Sequence, residues 1–148
     1  MDSSTVELPS RLRVLFVDDD ATLRKLFARS IRRLAPEWEL QEAPNGETAL
    51  ELVKANNAGK EPYYDLIFVD MYMPSTSQKK QLLGTETVTL LREECIDSND
   101  KSCIICGLSA NDLEQQFLDA GANTFVLKPF PCKKDEMRRE MLRVLACG

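Results

Sequence analysis
Apolar and polar positions follow two rhythms along this chain. Short runs of contiguous or alternating apolar residues read as β-strands: Leu12–Val17, Trp38–Ala43, the stretch YYDLIFVD, Cys103–Leu108 and Thr124–Leu127. Between them the spacing turns helical. Asp20–Leu34 sets Leu23, Leu26, Phe27, Ile31 and Leu34 on one face. The stretch PNGETALELVKANN opens on turn residues and carries Ala49, Leu50 and Val53 inward. Thr85–Glu94 does the same with Val88 and Leu91, Asn111–Ala120 is stopped by Gly121, and Lys133–Leu145 presents Met137, Met141, Val144 and Leu145 as a stripe. Strand then helix, five times over, predicts right-handed crossovers and a doubly wound α/β fold, a parallel sheet with helices on both faces. The third strand is apolar on both faces from Leu66 to Val69, as a central parallel strand requires. One domain is predicted over 11–148, preceded by a flexible leader at 1–10 in which Pro9 discourages regular structure.

Composition narrows the classes. A chain of 148 residues, 43% hydrophobic and 29% charged, fits one globular domain. A net charge of −5 argues against a nucleic-acid surface, which would need a basic field. No apolar run approaches the ~20 residues that cross a bilayer, and the polar start MDSSTVELPS lacks the apolar core of a signal peptide. Five cysteines, an odd number without scaffold spacing, read as reduced thiols in a cytoplasmic or nuclear compartment. Cys103 and Cys106 have a redox-like spacing, but residues three apart on a strand point to opposite faces, so buried core thiols are the plainer reading. The absence of histidine removes the commonest metal ligand and general base.

In such folds ligands bind at the carboxyl ends of the strands. The first strand runs into Asp18, Asp19 and Asp20, the third ends in Asp70, the fourth in Ser109 and the fifth in Lys128. Gathered carboxylates need a cation, and oxygen donors without histidine favour Mg²⁺. A carboxylate can also attack phosphorus to form an acyl phosphate, with a lysine and a hydroxyl suited to the oxygens of the transferred group.

The stretches VLFVDDD, DLIFVDMYMP, IICGLSA and FVLKPF, in this order, resemble the receiver domain of two-component response regulators over roughly residues 11–146. The resemblance implies a flavodoxin-like five-stranded sheet of order 2-1-3-4-5. It implies Asp70 as phosphoacceptor and Mg²⁺ held by Asp18, Asp19, Asp70 and the backbone carbonyl of Tyr72. Ser109 matches the switch hydroxyl, Lys128 the lysine that contacts the phosphoryl group, and Phe125 the switch aromatic. Tyr72 and Asn111 match positions that steer water and tune phosphoryl lifetime. Asp20 is assigned instead to capping the first helix, since Asp is a favoured N-cap. The implied donor is a histidine kinase or a histidine phosphotransfer protein, with the histidine on another molecule or domain. Such a domain catalyses its own phosphorylation and dephosphorylation without being a conventional enzyme, and it switches the face made by the fourth helix, fifth strand and fifth helix. The resemblance implies no direct contact with nucleic acid or membrane and allows a homodimer.

Two departures stand out. From Asp70 to Gly84 the chain is about six residues longer than the family pattern, an insertion around 75–83 that could be a lid or a tolerated loop. From Ser109 to Lys128 it is about three residues shorter, which should trim the entry to the fourth helix. Arg24, Lys25, Arg29, Arg32 and Arg33 on the first helix read as a solvated face or a docking surface for the donor. With no output domain read after the last helix, the sequence fits a stand-alone receiver or the receiver of a hybrid sensor kinase. Two rival functions remain: a receiver-like binding scaffold that is not phosphorylated, and a haloacid-dehalogenase-type phosphatase with Asp18 as nucleophile. The phosphatase would need a further strand ending in an acidic pair after Lys128.

Overall fold
In the computed structural model of the chain, the described residues are 7–56, 63–71, 82–96 and 103–148. Five parallel strands, β1 (Arg13–Val17), β2 (Glu39–Ala43), β3 (Leu66–Asp70), β4 (Ile104–Ser109) and β5 (Thr124–Leu127), alternate with five helices. The helices are α1 (Ala21–Leu34), α2 (Gly46–Ala55), α3 (Gly84–Ile96), α4 (Glu114–Ala120) and α5 (Lys134–Leu145). The sheet runs β2-β1-β3-β4-β5, the order the family resemblance implied.

Burial follows position in the sheet. Every residue of the central β3 is buried, whereas β2, on an edge, exposes Glu39, Gln41 and Glu42. Alternating side chains then feed two cores. Leu15, Val17, Ile67, Val69, Ile105, Phe117 and Phe125 build the one under α2, α3 and α4. Val14, Phe16, Phe68 and Cys106 meet Phe27 and Ile31 of α1 and Met137 and Met141 of α5 in the other. There Phe16 stacks on Phe27 with centroids 4.1 Å apart, and Phe68 and Phe130 close edge-on around them. Each such side chain contributes roughly 1.5–3 kcal/mol of burial. Cys103 and Cys106 fall in opposite cores as free thiols, which excludes a vicinal redox pair.

Register carries the strand ends to one edge. Val17 lies opposite Ala43 and Val69, Asp70 opposite Leu108, and Ser109 opposite Leu127. The ladder continues past the tips, where Met71 N donates to Leu108 O and Lys128 N to Ser109 O.

The structure departs from the sequence expectations at three places. Leu26, placed inward by its spacing, is 41% exposed. It sits on the wall of a groove of about 370 Å³ that it lines with Leu23, Phe27, Pro129, Phe130 and Cys132. The leader is not free over its described part: Leu8 packs against the α1–α5 core and Trp38 Nε1 donates to Pro9 O at 2.8 Å. Helix α4 begins at Glu114, three residues later than Asn111. The intervening turn satisfies its amides locally, Asn111 N on Ser109 Oγ and Glu114 N on Asp112 Oδ1. Of the insertion at 75–83, residues 75–81 lie outside the described residues. Beyond it Gly84 N donates to Met71 O at 2.7 Å, and a β-carbon at Gly84 would collide with the backbone of Asp70 and Met71. The close approach of α3 to the tip of β3 therefore requires glycine. Among the described residues, no helix is long and apolar enough to cross a membrane.

Candidate functional site
The tip of β1 supplies the most constrained acid. Asp18 is 1% exposed. Its Oδ1 accepts from Asp20 N at 2.9 Å and its Oδ2 from Lys128 Nζ at 2.8 Å. Its backbone is held too: the amide donates to Ala43 O at 3.1 Å, and Arg24 Nη1 donates to its carbonyl oxygen at 2.6 Å. Asp20 turns away to cap α1, accepting from Thr22 N and Leu23 N, the role its residue type predicted.

Asp70, at the tip of the buried β3, is 6% exposed, and its Oδ1 lies 2.7 Å from Lys128 Nζ. Lys128, just beyond β5, thus bridges Asp18 and Asp70. Asp19 completes the cluster from the solvent side: one carboxylate oxygen from each of Asp18, Asp19 and Asp70 lies within 4.8 Å of the others. Three carboxylates face one ammonium, so the pocket carries excess negative charge when all are ionised. Burial chiefly, and then the neighbouring Asp18 and Asp19, push Asp70 up to about 6 against the pull of Lys128. Burial and the charge of Asp18 also raise Asp19. For Lys128 burial acts downward, but its hydrogen bonds to Asp18 and Asp70 more than offset it, and its affinity for the proton rises. A divalent ion is the natural counterweight, and carboxylate oxygens without nitrogen or sulfur suit a hard cation such as Mg²⁺.

Ser109 and Phe125, which the family resemblance matches to a switch pair, lie on the neighbouring strands β4 and β5. Ser109 is buried one residue past the strand partner of Asp70, and its Oγ accepts from Asn111 N at 3.1 Å. Phe125 is buried on β5, its ring 5.7 Å from that of Phe117 on α4. Asn111 is exposed, and Tyr72 lies outside the described residues.

Sequence reasoning missed Arg24. Grouped by charge with the surface of α1, it is in fact half-buried and joined to Asp18 O and, at 3.1 Å, to Glu42 Oε1. The signal was positional: Arg24 precedes the buried Ile31 by seven residues, which puts both on one side of the helix. Lys25, Arg29, Arg32 and Arg33 do face solvent.

A family model described as the response regulator receiver domain matches residues 14–141. The chain belongs to that family. Among curated relatives, the hybrid signal transduction histidine kinase E of Dictyostelium discoideum is 35% identical over 124 residues, 82% of this chain and 6% of that protein. The transcriptional regulatory protein ResD of Bacillus subtilis is 30% identical over 88% of this chain and 47% of its own length. The chain therefore spans less than half of either relative. Among solved structures, the chemotaxis response regulator CheY4 of Vibrio cholerae superposes with a TM-score of 0.68 at 25% identity, over 90% of this chain and 98% of that one. The receiver domain of the Arabidopsis thaliana histidine kinase CKI1 gives 0.70 at 24% identity, over 89% and 90%, a likeness of fold. This receiver domain of the two-component type leaves no room for the phosphatase alternative. The family match over residues 14–141 carries that choice, and the segment directly after β5 forms α5.

Proposed function
We propose that this receiver domain takes a phosphoryl group onto Asp70 from a phosphohistidine on a histidine kinase or a histidine phosphotransfer protein. The observation that carries this reading is the Lys128 ammonium bridging Asp18 and Asp70 at 2.8 and 2.7 Å in a pocket of three converging carboxylates. In the ionised state an Asp70 oxygen attacks phosphorus. The new P–O bond forms as the P–N bond to the donor imidazole breaks, and the imidazole keeps that electron pair and takes up a proton. Lys128 offsets charge on the phosphoryl oxygens. Asp18, Asp19, Asp70 and the Tyr72 carbonyl would hold Mg²⁺, which when bound supplies the remaining charge compensation.

The acyl phosphate adds about −1.5 to −2 charge at the sheet edge. Ser109 Oγ, which accepts from Asn111 N in this state, then turns to donate to a phosphoryl oxygen, and Phe125 moves into the space beside it. The face of α4, β5 and α5 changes as a two-state element biased by that charge. Sedimentation velocity with and without beryllofluoride tests whether the switched face pairs two copies.

Incubation with acetyl phosphate and Mg²⁺, followed by mass spectrometry, tests the reading. One added phosphoryl group on the wild type and none on Asp70→Asn is the expected result. Failure of the wild type to accept acetyl phosphate, together with failure of beryllofluoride to bind, would overturn it in favour of a scaffold.

A further inference from the structure
We propose that Arg24 is a positioning residue for the acidic pair: it clamps the peptide between Asp18 and Asp19 and so aims the Asp19 carboxylate into the metal-binding cluster. This rests on the reading above that Asp18 and Asp19 hold a divalent cation.

The two acids are held very differently. The Asp18 side chain has protein partners on both oxygens, Asp20 N and Lys128 Nζ. Asp19 is exposed, among the described residues no salt bridge reaches it, and its carboxyl bonds only locally, to the Asp18 side chain and its own backbone. Its carboxylate nevertheless converges with those of Asp18 and Asp70. What sets its direction is therefore the local geometry at Asp18, chiefly the peptide plane that joins the two residues. That plane is fixed at its oxygen by Arg24 Nη1 at 2.6 Å. Arg24 is itself not free to wander. Its Nε donates to Glu42 Oε1 at 3.1 Å, and Glu42 lies on β2, one residue before Ala43, whose carbonyl receives the Asp18 amide. The planar guanidinium thus ties the tip of β1 to the tip of β2 with two of its donors in fixed relative geometry, which a lysine cannot reproduce. Ligand-orienting partners of this kind are commonly worth about 10–100-fold in metal affinity.

A bystander role makes the opposite forecast. Arg24 carries positive charge near a cation site, so if it acted only through its field, removing it would tighten Mg²⁺ binding. If it positions Asp19, removing it weakens binding despite the gain in negative charge. The test is calorimetric titration of Mg²⁺ into the wild type, Arg24→Gln, Arg24→Lys and Glu42→Gln, each at low salt and at 0.5 M KCl, with thermal melts as a folding control. We expect Arg24→Gln to weaken Mg²⁺ at least about 5-fold. Arg24→Lys, which keeps the charge, should weaken it by a smaller factor, and Glu42→Gln should do so by about 2–3-fold with little change at high salt. Tighter binding by Arg24→Gln, or wild-type affinity in Arg24→Lys, would overturn the inference. Should Arg24→Gln fail to fold, Arg24→Lys and Glu42→Gln decide alone. A wild type that binds no Mg²⁺ at millimolar concentration would instead sink the metal-site reading on which the inference stands.

Discussion

The tips of β1 and β4 lie on the same edge of the sheet, two strands apart, yet they are secured to very different degrees. At β1, Asp18 is fixed through its amide, its carbonyl and both carboxylate oxygens, and α1 begins immediately on a two-bond Asp20 cap. At β4, Ser109 accepts one amide on its hydroxyl and one, from Lys128, on its carbonyl; four residues of turn follow, and α4 begins at Glu114 after an N-cap, Leu113, that makes no side-chain cap bond, and runs only seven residues. One end is built to present charge without moving, and the other can rearrange at small cost. The proposed function, phosphate accepted at the firmly held end and reported through the sparsely held one, calls for that asymmetry. It is visible in the distribution of hydrogen bonds before any ligand is added.

The harshest way to probe the contrast is to add a β-carbon on each side. At Gly84 the new atom would strike the backbone of Asp70 and Met71, which cannot yield without displacing the Asp70 carboxylate. At Gly107 it would strike the Phe117 ring, which belongs to α4. Gly84→Ala should therefore lose about 3 kcal/mol or more in urea unfolding, with phosphoryl uptake impaired. Gly107→Ala should cost less, about 1–3 kcal/mol, because α4 can shift to accommodate it. Equal costs would mean that α4 is as firmly seated as β3. Next in size, Lys128→Ala should slow uptake from acetyl phosphate about 100-fold or more, since the ammonium shared by Asp18 and Asp70 has no substitute among the described residues.

Much of this site was legible from the chain alone because parallel strands in register end together. Once the apolar runs are placed, Asp18, Asp70, Ser109 and Lys128 must share an edge, and only their chemistry remains to be interpreted. Asp20 was legible for a local reason, its N-cap chemistry. What escaped depended on long side chains and on packing between elements. Arg24 looks like its four basic neighbours on α1 until the carbonyl of Asp18 and the carboxylate of Glu42 are seen within its reach. Leu26 has a core residue's spacing, but the groove beside Phe130 leaves it uncovered. The start of α4 was misjudged because Asn111 and Asp112 resemble helix-entry residues, while Asn111 N is engaged by Ser109 Oγ in a turn and Asp112 accepts at Glu114 N, where the helix begins. Leu8 and Pro9 carried no local signal at all. They are held by Trp38 and the α1–α5 core, contacts that exist only after folding.

The rigid end also stores electrostatic strain, and pH should reveal it. In the metal-free fold Asp70 keeps its proton up to about 6, against 3.8 for the unreacted side chain in an unfolded chain. Between these values the native state binds more protons than the unfolded state, so stability falls as pH rises from about 4 through about 6 and then levels off. Asp70→Asn removes the titration while keeping an oxygen for Lys128. The variant should match the wild type below pH 4 and exceed it by about 1–2 kcal/mol above pH 6.5, read from urea midpoints without divalent ions. A constant difference across this range would mean that Lys128 already cancels the burial cost of the charge. Uptake of phosphate, which needs the ionised carboxylate, should fall through the same interval on acidification.

The gentlest probe compares the two helix starts. Asp20 accepts two amides of α1, at 2.9 and 3.2 Å, and Asp20→Ala should cost about 1 kcal/mol. Asp112 accepts one amide of α4, at 3.3 Å in an exposed position, and Asp112→Ala should cost less than about 0.5 kcal/mol globally. Global stability alone would leave the start of α4 unprobed, because a frayed first turn there barely changes the unfolding free energy. Native-state amide exchange resolves it. In the wild type, protection around Glu114 should already be several-fold lower than around Leu23. Asp112→Ala should lower it further at residues 111–116 and leave α1 unchanged, whereas Asp20→Ala should lower protection at 21–24 and disturb the Asp18–Asp19 turn. Comparable loss of protection at both helix starts would place α4 among the fixed parts of the domain and remove the physical basis for a switch at the tip of β4.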